Sequence, residues 1–217
     1  MALVVSTLAC SGPQVEAKDK EPATVADKSP APPDATPNAA PAHVLAGEAL
    51  LAQMPAPAPD APSLARALLC EERESGWGCV GPDGAVVIPF EHFELGPFSA
   101  AGIAPAFHKD KGLWYVDATG AYLYESYNYD NGFDPISEGR SRFRFQGKIG
   151  FLDAEHRVVI PPRYDAAYYF DEGSAKVCVG CDPQVWSHDG GMGLSEGQVL
   201  YVDPQGQETT EKPSYRK

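Results

Sequence analysis

Long apolar runs are missing from this 217-residue chain. No stretch approaches the ~20 consecutive apolar residues that a membrane-spanning helix requires, so no transmembrane span is expected. Basic residues are scarce as well: 17 Lys and Arg stand against 30 Asp and Glu, for a formal net charge of -13. A general binder of phosphate backbones needs a basic face, so nucleic acid is not expected as a partner. The histidines (His43, His92, His108, His156 and His188) are scattered, and no His-x-x-x-His or His-Glu-x-x-His pattern occurs. Solvated turn histidines are expected rather than metal ligands. No serine stands in a nucleophile elbow, and the Gly-rich pieces GPDG and HDGGMG follow no strand that opens a helix. That removes the usual acyl-transfer and phosphate-loop arguments. A hydrolase at His188 and Asp189 is the weakest reading, because no nucleophile lies nearby. Catalytic residues, metal and cofactor are therefore all expected to be none.

Proline and glycine, by contrast, are abundant, at 21 each. Residues 11–62 are dominated by Ala, Pro, Asp, Glu, Lys, Ser and Thr, as in SPAPPDATPNAAPAH. Such a segment buries too little apolar area to offset its ordering entropy and is expected to be a disordered tether. HVLAGEALLAQM (43–54) is an interruption that forms at most a transient helix by itself. A flexible linker of this length spans about 40 Å, and its prolines stiffen it further. The first ten residues, MALVVSTLAC, resemble the tail of a bacterial lipoprotein signal, with Ala9 before Cys10. The resemblance implies lipidation at Cys10 and export to the envelope, on the outer-membrane or periplasmic face, with the lipid as the sole membrane attachment. Ser11, rather than Asp, fits outer-membrane sorting.

From residue 63 onward the chain repeats. Trp77, Leu113 and Ile149 are spaced by 36 residues, and so are Val80, Val116 and Leu152. Asp117 and Asp153 keep the step, as do Gly84 and Gly120. AVVIPFEHF (85–93) matches RVVIPPRYD (157–165), two steps away. QVLYVDPQG (198–206) restores the pattern after an insertion of about 14 residues within VWSHDGGMGLSEG. Each unit reads as three short strands. The first ends at a D-x-x-G turn. The second is a VVI run closed by proline, which cannot donate to a ladder. The third follows E-G and alternates with period two. Tight turns at HKDKG (108–112) and QGK (146–148) favour antiparallel hairpins, and no amphipathic helical segment appears between 76 and 207. The fold class is all-β: an antiparallel meander of roughly ten strands. Its repeats fall near 68–103, 104–139 and 140–175, with a partial fourth over 176–208.

These words in this order (GWG, V-D-x-x-G, VVIPP-Y-D and F-x-E-G-x-A) resemble the WG repeats, also called KWG repeats, over about residues 68–208. Trp77-Gly78 keeps the namesake pair; Leu113-Trp114 and Ile149-Gly150 replace it. The resemblance implies a bacterial β-repeat module, often exported, used for interaction rather than chemistry. The expected partner is a protein or an envelope polymer.

With Cys10 set aside, four cysteines remain: Cys70, Cys79, Cys178 and Cys181. Disulfides, a zinc site using CVGC (178–181) and free thiols are all open to them. Carried across the repeats, the hairpin register places Cys70 opposite Cys79, within disulfide reach. The insertion displaces the facing partner of Cys178, which leaves Cys181 nearest. A small metal-binding or thiol-redox domain built on Cys178 and Cys181 is therefore the alternative function. RSRFRF (140–145) puts Arg140, Arg142 and Arg144 on one strand face. Together with Tyr127, Tyr129 and His188 they form the candidate partner surface. Tyr122, Tyr124, Tyr127 and Tyr129 beside Phe133 offer an aromatic face on which carbohydrate or peptide could stack, but strand alternation turns half of them inward and most are expected in the core. Asn128, Asp130, Asn131 and Asp134 form an Asx-rich turn with no closing acid for calcium.

Overall fold

The computed structural model describes residues 40–182 and 197–213. Helices α1 (Ala42–Leu51) and α2 (Ala61–Ala65) come first. The first repeat contributes β1 (Leu69–Arg73), β2 (Gly76–Val80) and β3 (Val86–Leu95). The second contributes β4 (Ile103–His108), β5 (Gly112–Asp117), β6 (Tyr122–Ser126) and a two-residue pair, β7 (Asn128–Tyr129) and β8 (Gly132–Phe133). Then come β9 (Ser141–Phe145), β10 (Lys148–Leu152), β11 (Val158–Tyr164) and β12 (Ala166–Ala167). The last are β13 (Ala175–Val179), β14 (Gln198–Val202) and β15 (Glu208–Thr209). All pairings among these strands are antiparallel. The order is a nine-stranded meander β1-β2-β3-β4-β5-β6-β9-β10-β11 and a second sheet β12-β13-β14-β15, with β7-β8 a separate ribbon. The all-β meander is the observed fold class.

The 36-residue step survives in space. First strands start at Gly76, Gly112 and Lys148, and second strands at Val86, Tyr122 and Val158. Between them lies one turn, built alike in every copy. The N–H groups of Gly84, Gly120, His156 and Gly206 donate to the carbonyls of Gly81, Asp117, Asp153 and Asp203. Those four donors all have φ between 62° and 85°, the left-handed region. The Asp117, Asp153 and Asp203 carboxylates each accept backbone N–H groups two and four residues on, at 2.8–3.1 Å. A short side chain that bonds its own downstream backbone is what makes Asp a turn former.

The namesake glycine has a separate cause. A Cβ on Gly78 would meet the Ile88 carbonyl oxygen at 2.7 Å, and one on Gly150 the Ile160 oxygen at 2.5 Å. Opposite both, the second strand is bulged: the register shifts between Trp77 and Cys79, and between Ile149 and Phe151. Bulges bring backbones close and are where glycine is tolerated. The second copy pairs Trp114 with Glu125 and Tyr115 with Tyr124 without a shift there, and a tryptophan fits in the glycine slot. Proline therefore does not end the second strand, as the sequence suggests. Pro89 lies inside β3, and Pro161 and Pro162 inside β11. The bulge removes the ladder bond that proline cannot make.

Three apolar clusters follow one another along the sheet, around Cys79, Ile88 and Val116, then Tyr115, Leu123 and Phe143, then Phe151, Ile160 and Phe170. The tether reading needs correction over residues 40–62. Helix α1 packs on β11: a Cβ on Gly47 would sit 2.8 Å from Cβ of Arg163. His43 Nε2 lies 2.7 Å from Glu208 Oε2. Further on, Ala58 donates its N–H to Asp117 Oδ2 at 2.8 Å, and Ala61 is fully buried beneath the Gly102 turn. Ala- and Leu-rich helix propensity is insufficient at ten residues; tertiary contact supplies the rest. Residues 11–39 of the expected tether lie outside the described residues.

Gly150→Ala and Gly78→Ala are expected to destabilise the fold by about 1–3 kcal/mol each through overpacking. Denaturant unfolding of purified variants measures this; wild-type midpoints in both would refute the close-approach explanation.

Candidate functional site

The cysteines resolve into two pairs. Cys70 is bonded to Cys79, directly opposite on β1 and β2, with Cα atoms 4.0 Å apart. Cys178 is bonded to Cys181, while Val199 takes the facing position on β14. The pairs belong to different apolar clusters, so the four sulfurs do not converge.

The arginine stripe divides into three fates. Arg142 is buried, at 3% exposure, against the exposed-face expectation. Its Nε and Nη2 donate to both carboxylate oxygens of the equally buried Asp134 at 2.6–3.2 Å, and its Nη1 to the Ala167 carbonyl at 2.8 Å. Asp134 also accepts the Arg142 backbone N–H at 2.6 Å. Burial is tolerated because charge and donors are both satisfied. Arg140 lies just outside β9 and donates to the carbonyls of Gly139 and Pro204. Arg144 alone remains exposed on the strand. Register carries the signal that alternation misses. Two steps of 36 connect Ala106, Arg142 and Cys178, and both flanking members of the series are fully buried.

Beside this strand projects the β7–β8 ribbon, which no other copy has among the described residues. Asp130 and Asn131 both adopt positive φ, 49° and 63°, between paired Tyr129 and Gly132. This is the two-residue hairpin that Asp and Asn favour. The Asx-rich stretch is thus a turn whose last acid, Asp134, is turned inward to Arg142. The Tyr127 ring lies 4.1 Å from the Arg142 guanidinium carbon and 5.2 Å from that of Arg144. Tyr129, at 41% exposure, stands at the ribbon's rim. Between the ribbon and the β4–β5 hairpin opens a cleft walled by Lys111, Leu113, Glu125, Tyr127, Asn131 and Arg144. Two predicted surface residues, Tyr127 and Arg144, therefore come together at the cleft, Tyr129 stands on the ribbon outside its lining, and Arg142 is withdrawn. His188 lies outside the described residues, as does Cys10.

His92 and His108 are not solvated turn residues. They face each other across β3 and β4, are 1% and 4% exposed, and place their rings 5.3 Å apart. His108 Nδ1 accepts the N–H groups of Asp110 and Lys111, leaving Nε2 to donate to Glu91 at 3.1 Å. His92 Nδ1 faces the carbonyls of Trp77 and Pro89, so it carries the proton, and Nε2 accepts from the Tyr122 hydroxyl at 3.1 Å. These contacts assign a neutral tautomer to each ring. Burial lowers the His92 pKa, with His108 adding to the effect; burial likewise lowers that of His156. Sequence comparison could have found His92, since it stands two repeat steps from Tyr164, which is fully buried.

A third polar group joins α1 to the last turn. Glu208 Oε1 accepts from the Tyr164 hydroxyl at 2.7 Å and from Arg163 Nε at 3.0 Å, opposite the His43 contact on its other oxygen. Arg163 Nη2 also donates to the Gly206 carbonyl at 2.8 Å. Burial, reinforced by the Glu208 bond, pushes the Tyr164 hydroxyl's pKa upward. This group holds elements together and offers no unoccupied acid–base pair.

Residues 149–180, from β10 through β13, match the family model described as WG containing repeat. That segment is similar to a WG containing repeat. Gly150 and its bulged partner strand fall inside the matched segment, and the same geometry recurs at Gly78 outside it. No curated protein and no solved structure matches the chain.

Two outcomes follow from the buried groups. Arg142→Ala is expected to cost about 3–5 kcal/mol by stranding the Asp134 carboxylate, and Arg142→Met with Asp134→Asn to recover part of it. Equal stability of single and double variants in urea unfolding would contradict this. His92 and His156 have folded pKa values below their unfolded ones. The unfolded state thus binds protons first as pH drops below about 6.5, and stability falls there. Melting curves between pH 7.5 and 5.5 are expected to show that fall, shallower in His92→Gln with His156→Gln; an unchanged slope in the double variant refutes the assignment.

Proposed function

We propose that this WG repeat chain is a non-enzymatic binding module, exported and held at the bacterial envelope by lipid on Cys10, whose folded part docks another macromolecule. The observation that carries the reading is where the unrepeated residues fall. The repeated polar groups are used up within the fold: Asp117, Asp153 and Asp203 each bond their own downstream backbone in turns. Two features absent from the other copies among the described residues, the β7–β8 ribbon through Asn128 and Asn131 and the cation Arg144, meet at one exposed cleft. Exposed aromatic and arginine side chains are the residue types that carry binding energy. The anchor rests on the resemblance of MALVVSTLAC to a lipoprotein signal tail. The thiol-redox alternative draws on the Cys178–Cys181 bond, of which Cys178 is fully buried and Cys181 is 7% exposed.

A photo-crosslinking residue placed at Tyr129 in the full-length chain, expressed in its native cells, is expected to yield a discrete adduct. The same residue at Asp83, in a repeat turn, is the control and is expected to yield none. Cys10→Ser is expected to release the chain from the membrane fraction. Absence of any adduct from Tyr129, or equal adducts from both positions, counts against the binding reading. Unchanged membrane association of Cys10→Ser counts against the anchor.

A further inference from the structure

We propose that the cleft between the β4–β5 hairpin and the β7–β8 ribbon takes an acidic peptide segment, its carboxylates received by Lys111 and Arg144. The proposal rests on the binding-module reading above and names the ligand class of that site. The cleft measures about 440 Å³. Both cations are exposed, and neither has a carboxylate within ion-pair distance among the described residues.

Each cation is held by a ring instead. Lys111 Nζ lies 3.9 Å from the centroid of Tyr122, and the Arg144 guanidinium carbon 5.2 Å from that of Tyr127. A ring quadrupole restrains a cation without neutralising it or consuming its N–H donors. Arg142 shows the contrast. It shares the Tyr127 ring, but its charge and donors are spent on Asp134 and Ala167. Arg144 keeps its donors for an incoming oxygen, and a charge-assisted bond to a carboxylate is the strong kind.

A peptide is favoured over a uniform polyanion for two reasons. Glu125 also lines the cleft, and the chain carries a net charge of -13, so a dense polyanion meets repulsion everywhere except at the two cations. Phe107 and Leu113, directly opposite each other on β4 and β5, line the same cleft and are half-buried. They offer apolar contact to a residue adjacent to a carboxylate, a combination that a peptide supplies.

The test uses the full-length chain and a fluorescein-labelled peptide of alternating Glu and Leu, with a Gln-Leu peptide as control, read by anisotropy. Saturable binding of the Glu peptide alone is expected. Lys111→Ala and Arg144→Ala each weaken it about five- to tenfold, in line with loss of one charge-assisted contact. Glu125→Gln tightens it. Arg144→Gln and Lys111→Gln repeat the measurement with retained side-chain bulk, and thermal melting checks folding of all variants. Wild-type affinity in the Lys111 and Arg144 variants, or equal binding of the Gln peptide, overturns the proposal. Tighter binding of inorganic polyphosphate with the same dependence on both cations overturns the peptide assignment. A Tyr129 adduct that forms regardless of Lys111 and Arg144 leaves the binding module standing and removes only the acidic ligand.

Discussion

Between the first and second strand of each repeat the chain reverses over four residues, and the reversal is held by a carboxylate bonded to its own downstream backbone. Asp117, Asp153 and Asp203 make these bonds in the same two directions. In the first repeat Gly81 stands in that place, and Asp83 instead accepts the Ala85 N–H. The turn matters beyond itself because a one-residue slip would send every side chain of the strand to the opposite face of the sheet. With the turn pinned, Val80, Val116, Leu152 and Val202 all reach the interior, as do Cys79, Tyr115 and Phe151. The core is thus one set of slots filled repeatedly by side chains of different volume, and the Cys70–Cys79 bond occupies a site where a later copy holds an aromatic residue.

Departures from the pattern are local and physically coupled. Where the second strand carries proline it bulges, and the bulge presses its backbone onto Gly78 or Gly150. The second copy has neither proline nor bulge in that place, and its Trp114 replaces glycine. The same copy adds the β7–β8 ribbon, whose following Asp134 neutralises an arginine that register drives inward. One copy has in this way diverged in strand, turn and charge together, and its divergent residues border the cleft assigned to a ligand.

The two imidazoles of His92 and His108 show how the interior tolerates polar residues. Every ring nitrogen has a partner, so both rings are buried with their polar atoms satisfied. Protonating His92 in this setting is unfavourable because its surroundings are dry, and burial lowers its pKa.

By itself the sequence determined the antiparallel strand pattern, the 36-residue register, the turn role of Asp153 and the facing positions of Cys70 and Cys79. All of these are local or follow from translation by a constant step, and spacing records both. Tertiary structure alone decided the rest. Composition counted the Pro and Ala of residues 40–62 but could not register that Gly47 admits a helix against Arg163. Alternation placed Arg142 with Arg144, yet Arg142 lies inside because Asp134 and Ala167 meet it there. Proline looked like a strand end because a ladder donor is lost at that point. The strand runs on because a bulge, formed only when a partner strand is present, leaves that donor unneeded. What a residue faces across the sheet is a property of its neighbours, and neighbours distant in sequence are brought together only by the fold.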